Sequence, residues 1–223
     1  MTGQEVQVIT LSLWVAMVST LASLPVAVAV AVLLERARFW GRPLVSALIY
    51  LPLVLPPVVT GYLLLLGFGP KGPIGGLLAG IGVSFAFNAK GAALAAAVMA
   101  FPLFVRSIQL SLAGVDRGLE DAAKTLGAGR VRVFFTITLP LMASGVAAGA
   151  VLGFAKAMGE FGATITFVSN IPGETETIAS AIYALLQVPG QEPVVMRLII
   201  LSAALSLGAI LLSETLARRA LRR

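Results

Sequence analysis

The sequence predicts an all-α integral membrane protein with about five transmembrane helices. Three observations carry this. The 223-residue chain is 58% hydrophobic and 12% charged, about half the charged fraction of an ordinary soluble domain. Its mean hydropathy is +0.98, and a globule of this size has too much surface for its volume to hide that much apolar material. Residues 11–34 and 43–70 contain no charge at all, and about 20 apolar residues suffice for a helix to cross a hydrocarbon layer.

Taken in order, the first span is Leu11–Leu34, followed by Glu35, Arg36, Arg38 and Arg42. No basic residue precedes it, so it reads as a true span rather than a cleaved leader. The second is about Leu44–Leu66. The stretch beyond it, with Gly72, Gly75, Gly76, Gly80 and Gly82, is apolar but poor in helix formers and reads as a loop near the interface. The third span is about Gly91–Leu112, with Arg106 in its last two turns. A polar segment, Gly114–Arg132, leads to a fourth span, roughly Val133–Met158. Residues 160–192 are mixed, and a fifth span covers about Val194–Leu216. A sixth span over Ile178–Val188 is the alternative, but a helix of that length rises only about 16 Å, so a partly embedded segment is the preferred reading. The chain 1–223 reads as a single transmembrane domain.

Five spans put the termini on opposite sides. With the C-terminus cytoplasmic, the inside segments 35–43, 106–132 and 214–223 hold twelve of the sixteen Lys and Arg residues. Lys71, Lys90, Lys156 and Arg197 fall outside or near the outer face. This is the positive-inside bias; it sets the N-terminus outside. Arg36, Arg38, Arg218, Arg219, Arg222 and Arg223 then read as topology anchors. The bias also explains the net charge of +6 without a nucleic acid partner. The absence of Cys and His excludes disulfides, thiolate nucleophiles and Ser–His–Asp triads, and removes nearly every ligand for zinc, haem or iron–sulfur sites. No metal site is expected.

Pro25, Pro52, Pro56, Pro57, Pro102 and Pro140 lie in or at the ends of spans, and each removes a backbone donor. The run from Leu51 to Pro57 predicts a break or sharp kink in the second span. Broken backbone survives at membrane depth only where protein or a water-filled cavity shields it. Pro56 and Pro57 are therefore candidates for a pore lining or hinge, with a simple packing kink as the other reading. The small residues of Ala92–Ala97 and Ser144–Gly149 allow close helix approach.

Within residues 114–140, Asp116 is a plausible N-cap. Leu119, Ala122, Ala123 and Leu126 share one helical face, while Glu120, Asp121 and Lys124 cover the others. Gly127 or Gly129 can end the helix. A short basic turn, Arg130–Phe135, leads into the fourth span. The segment is either a solvated connection or a docking knob for a soluble partner.

These residues carry a resemblance. Asp121-Ala122-Ala123, three residues, Gly127, nine residues, then Ile137-Thr138-Leu139-Pro140 resembles the EAA loop of bacterial ABC importer permeases, with Asp121 in place of the usual Glu and Glu120 beside it. The stretches 51–62 and 159–174 are similar to the molybdate/tungstate permeases, and Gly159-Glu160-Phe161-Gly162 also to the sulfate permeases. The resemblance covers essentially the whole chain. It implies a type I importer permease in the bacterial inner membrane. Two copies would pair around a pathway, a periplasmic oxyanion-binding protein would deliver substrate, and two cytoplasmic ATPase subunits would dock on the loop. Glu120, Asp121, Ala122, Ala123, Gly127, Ile137, Leu139 and Pro140 are the implied coupling residues. The chain has no Walker A sequence. No catalytic activity or cofactor of its own is therefore expected; ATP and Mg would belong to the ATPase.

A second constellation, Lys156, Gly159, Glu160, Phe161, Gly162 and Thr164, sits at the outer end of the fourth span. Lys156 and Glu160 are four apart and can pair on one face. They read either as an interfacial ion pair or, with Pro56 and Pro57, as pathway lining in which Lys156 attracts a dianion. The acidic segment Ile171–Glu176 is a solvated loop or a docking rim. Sulfate import by the same architecture, and a stand-alone secondary transporter, are the competing functions. The second lacks internal repeats and leaves the 114–140 segment unexplained.

Overall fold

The computed structural model describes residues 3–220. Among these residues every regular element is helical. Helix α1 (Gly3–Arg36) is 34 residues long, roughly 50 Å, and so reaches beyond the hydrocarbon layer on both sides. Its buried face is rich in small and hydroxyl residues, Ser12, Ala16, Ser19, Thr20, Ser23, Ala27 and Ala31, beside Val8, Val15 and Leu34. Its bulky residues Met17, Leu21, Val26 and Leu33 face outward. This is the arrangement expected where lipid solvates the outer surface and small residues let helices approach. Two of the buried hydroxyls bond locally, Ser12 to the Val8 carbonyl and Ser19 to that of Ala16.

The second span breaks as its prolines predict. Helices α2 (Arg42–Val54) and α3 (Pro57–Phe68) meet at 117°. Leu55 is extended, the conformation a residue preceding proline prefers, and Pro56 and Pro57 offer no N–H to continue the helix. The glycine-rich stretch beyond differs from its loop prediction. It forms a short helix, α4 (Pro73–Ala79), started by Pro73 at its first position. Gly75 packs against the backbone carbonyls of Phe68 and Gly69, where a Cβ would collide.

Helix α5 (Ala89–Ala113) is the hub, capped by the Asn88 side chain accepting from Gly91 N–H at 3.1 Å. Helix α1 packs along one side of it and α9 (Ala143–Met158) along another. Gly145, Gly149 and Gly153 of α9 form a stripe at four-residue spacing against α5. A Cβ on Gly153 would enter the Phe104 ring, and one on Gly145 would strike Ser111.

Between α5 and α9 the chain forms α6 (Arg117–Thr125), α7 (Arg130–Val133), a π-helical turn (Phe134–Thr138) and α8 (Leu139–Leu141). The fourth span is therefore not one straight helix from Val133 to Met158; Arg130–Leu141 and Ala143–Met158 bend by 66°. Pro140 explains the defect. It cannot donate, and just before it the Leu139 N–H reaches back five residues to the Phe134 carbonyl. Beyond α9 lie α10 (Gly162–Val168), α11 (Ile178–Leu185) and α12 (Glu192–Ala220). Eight residues make α11 too short to cross a membrane, as the embedded-segment reading expects. Arg222 and Arg223 lie outside the described residues.

The two ends of α1 organise the two ends of the bundle. Near its start, Glu5 accepts from Arg197 of α12 at 2.7 Å, and Gln7 donates to the Gly173 carbonyl. At its end, Arg36 meets Glu120 of α6. The 114–140 segment and the 171–176 loop are thus at opposite ends of the molecule.

Candidate docking knob and helix crossing

Helix α6 is built as its sequence suggests. The Asp116 side chain caps it, accepting from Gly118 N–H at 2.8 Å. It closes in a Schellman arrangement: Ala128 N–H bonds the Ala123 carbonyl and Gly127 N–H that of Lys124. Gly127 holds φ +87°, which glycine adopts at no steric cost. Between the two glycines the question of which ends the helix resolves to Gly127, with Gly129 starting α7.

On α6 both apolar and charged residues face solvent, and one carboxylate faces inward. Leu119 is 50% exposed and Leu126 88% exposed, and Ala122 is exposed as well. The single buried residue of the helix is Glu120, at 8%. Its carboxylate accepts from Arg36 at 3.0 Å and from the Thr138 hydroxyl at 2.8 Å. Asp121 points outward and pairs with Lys124 at 2.8 Å. That ammonium holds the Asp121 carboxyl below its ordinary range.

The structure therefore divides the eight candidate coupling residues. Asp121, Ala122, Ala123 and Gly127 form the projecting knob. Glu120 faces inward as its root. Ile137, Leu139 and Pro140 lie in the π-turn and α8, where Leu139 packs on the core formed by α1 and α5. Arg36 and Thr138 are partners that sequence reasoning missed. Arg36 stands 84 residues from Glu120, and no short-range pattern links them.

At the other constellation, Lys156 Nζ and Glu160 Oε2 are 2.6 Å apart. Glu160 is 3% exposed, and its second oxygen accepts from Ala163 N–H at 3.1 Å, so it also caps α10. Thr164 is buried, Phe161 and Gly162 are half-buried, and Gly159 is exposed. The structure joins this group to the proline break. A Cβ on Gly162 would lie 2.7 Å from the Pro57 side chain, and one on Gly61 would strike the Ala163 backbone. The helices α3 and α10 are thus in backbone contact, with Pro56 and Pro57 exposed at the start of α3. Of the outer segment, Glu174 is exposed, whereas Glu176 is buried and accepts from Asn170 and Gln4.

The helical bundle with a projecting knob between its third and fourth spans matches solved transporters. A bacterial ABC transporter that imports alginate aligns at TM-score 0.79 and 20% identity, covering 98% of this chain and 80% of that one. The methionine ABC transporter MetNI aligns at 0.77 and 16%, covering 99% of both chains. These likenesses concern the fold. The sequence profile of the binding-protein-dependent transport system inner membrane components matches residues 10–222. The chain belongs to that family. It is a permease with the fold of the type I ABC importers. Relatives agree over nearly the whole length. The molybdenum transport system permease protein ModB of Escherichia coli K12 is 57% identical over 219 residues, 98% of this permease and 96% of the relative. ModB of Haemophilus influenzae is 57% identical over 216 residues, 96% and 94% of the two chains. The permease is accordingly a multi-pass inner-membrane protein.

Proposed function

We propose that this permease imports molybdate, and tungstate as a dianion of like shape, driven by ATP hydrolysed in separate subunits. The observation that carries the coupling is the outer face of α6: Leu119, Ala122 and Leu126 lie in solvent beside the Asp121–Lys124 pair while Glu120 roots the helix inside, and apolar surface left exposed in this way is made to be covered. Two ATPase subunits, holding ATP and Mg, dock there on a homodimer embedded in lipid. A periplasmic binding protein delivers the oxyanion at the end carrying residues 171–176. The N-terminus is outside and the C-terminus cytoplasmic. The substrate assignment follows the relatives named for molybdenum transport.

The geometry supports a mechanical route. A displaced α6 pulls on Arg36 and so on α1, and through Thr138 on the π-turn beneath Pro140. A π-turn and a 66° bend are places where a helix already departs from its regular ladder, so motion concentrates there. The crossing of α3 and α10, with Lys156 beside it, forms part of the translocation route, and Gly159, Phe161 and Thr164 lie along the same connection.

Docking is tested by co-purification. Leu126→Glu places a charge at the most exposed apolar position of the knob, the C-cap of α6, without touching the fold, so the tagged variant should retain its dimer and lose its ATPase. Undiminished ATPase recovery with Leu126→Glu would rule the knob out as the docking surface.

A further inference from the structure

Lys156 of α9, Arg197 of α12 and Arg106 of α5 are among the cations carried by the long helices. Lys156 pairs with Glu160 and Arg197 with Glu5. Arg106 differs: among the described residues no carboxylate pairs with it. It lies in α5 seven residues before the end of the helix at Ala113, about 10 Å in from that end, and its side chain is exposed. Tyr50 of α2 stands beside it and donates to Gln109 Oε1 at 2.6 Å. That bond turns the carbonyl end of the Gln109 amide toward α2 and leaves its NH₂ available as a donor. Further along, the groove between α2 and α5 is apolar, lined by Val45, Ile49, Pro52, Ala97 and Phe101.

An uncompensated cation inside a span is expensive unless it faces water or an anion. A guanidinium presents a planar fork of donors that fits two oxygens of a tetrahedral oxyanion. We infer that Arg106, oriented by Tyr50 and supplemented by the Gln109 amide, is a contact for the transported oxyanion, set about 10 Å inside the end that bears α6. The inference rests on reading the chain as an oxyanion permease. It adds a binding position on α5, away from the α3–α10 crossing. A lipid phosphate offers the same chemistry, and the test separates the two.

The chain contains no cysteine, so Arg106→Cys is a single-thiol variant when the partner subunits are also cysteine-free. The assay is molybdate uptake by the full complex in vesicles. Arg106→Cys should lower uptake at least fivefold with the ATPase still bound. A cationic aminoethyl thiosulfonate should recover most of that loss by restoring the charge, an anionic sulfonatoethyl reagent should not, and molybdate should slow the modification. If Arg106→Cys impairs assembly, Arg106→Lys decides: it keeps the charge but not the fork, and should raise the KM for molybdate with little change in kcat. Native-like uptake by either variant overturns the inference, as does modification that ignores molybdate but changes with headgroup composition, which marks a lipid anchor. Failure of the unaltered complex to take up molybdate would overturn the functional reading itself.

Discussion

Glu120 is the residue on which the projecting α6 knob hangs. It is nearly buried, and it ties α6 both to the end of α1 through Arg36 and to the π-turn through Thr138. Replacing it with Ala removes the carboxylate hydrogen-bonded to the half-buried Arg36, at a cost of about 2–3 kcal/mol. We predict that Glu120→Ala lowers the Tm of the purified complex and reduces transport per ATP hydrolysed. Glu120→Gln, which can keep the Thr138 contact, should recover part of both. Equal stoichiometry in all three proteins would remove the tether from the mechanism. Gly127 acts by its backbone. An Asp at φ +87° is strained by about 1 kcal/mol and adds a charge beside the knob. Gly127→Asp should therefore abolish substrate-stimulated ATP turnover; normal stimulation would show the turn to be dispensable.

At the level of elements, the crossing of α3 and α10 has no slack. Gly162 faces the Pro57 side chain at van der Waals distance or less for any added carbon, and overpacking such a contact costs about 1–3 kcal/mol. Gly162→Val should slow uptake while co-purification with the ATPase stays intact, because the crossing is remote from α6; uptake at the native rate would make the contact merely structural. The crossing was only half legible in the sequence. The proline run announced a break by the chemistry of its missing donors, and Lys156 and Glu160 announced a pair by their spacing. Their meeting through Gly162 and Gly61 depends on tertiary packing that no local pattern encodes. In α4 the proline at its start outweighs the glycines that suggest a loop, and Gly75 fits closely over the nearby Phe68 and Gly69 carbonyls. Tertiary packing also explains Arg36, whose charge marked a membrane boundary but not its partner 84 residues away. The α6 knob was legible because its cap, its face and its terminal glycine are all local signals.

The whole molecule is a bundle whose two working ends are joined by one helix of roughly 50 Å. Helix α1 touches the 171–176 loop at its start and the knob at its end, so an event at one end has a rigid path to the other. What the bundle moves is the central question of its function. The most direct measurement is elemental molybdenum in cells with and without this gene, grown at trace external molybdate, with growth on sulfate as the control. The account predicts a clear fall in cell molybdenum, reversed by the restored gene or by excess molybdate, with sulfate growth unaffected. Unchanged molybdenum together with impaired growth on sulfate would contradict it and move the same machinery to sulfate.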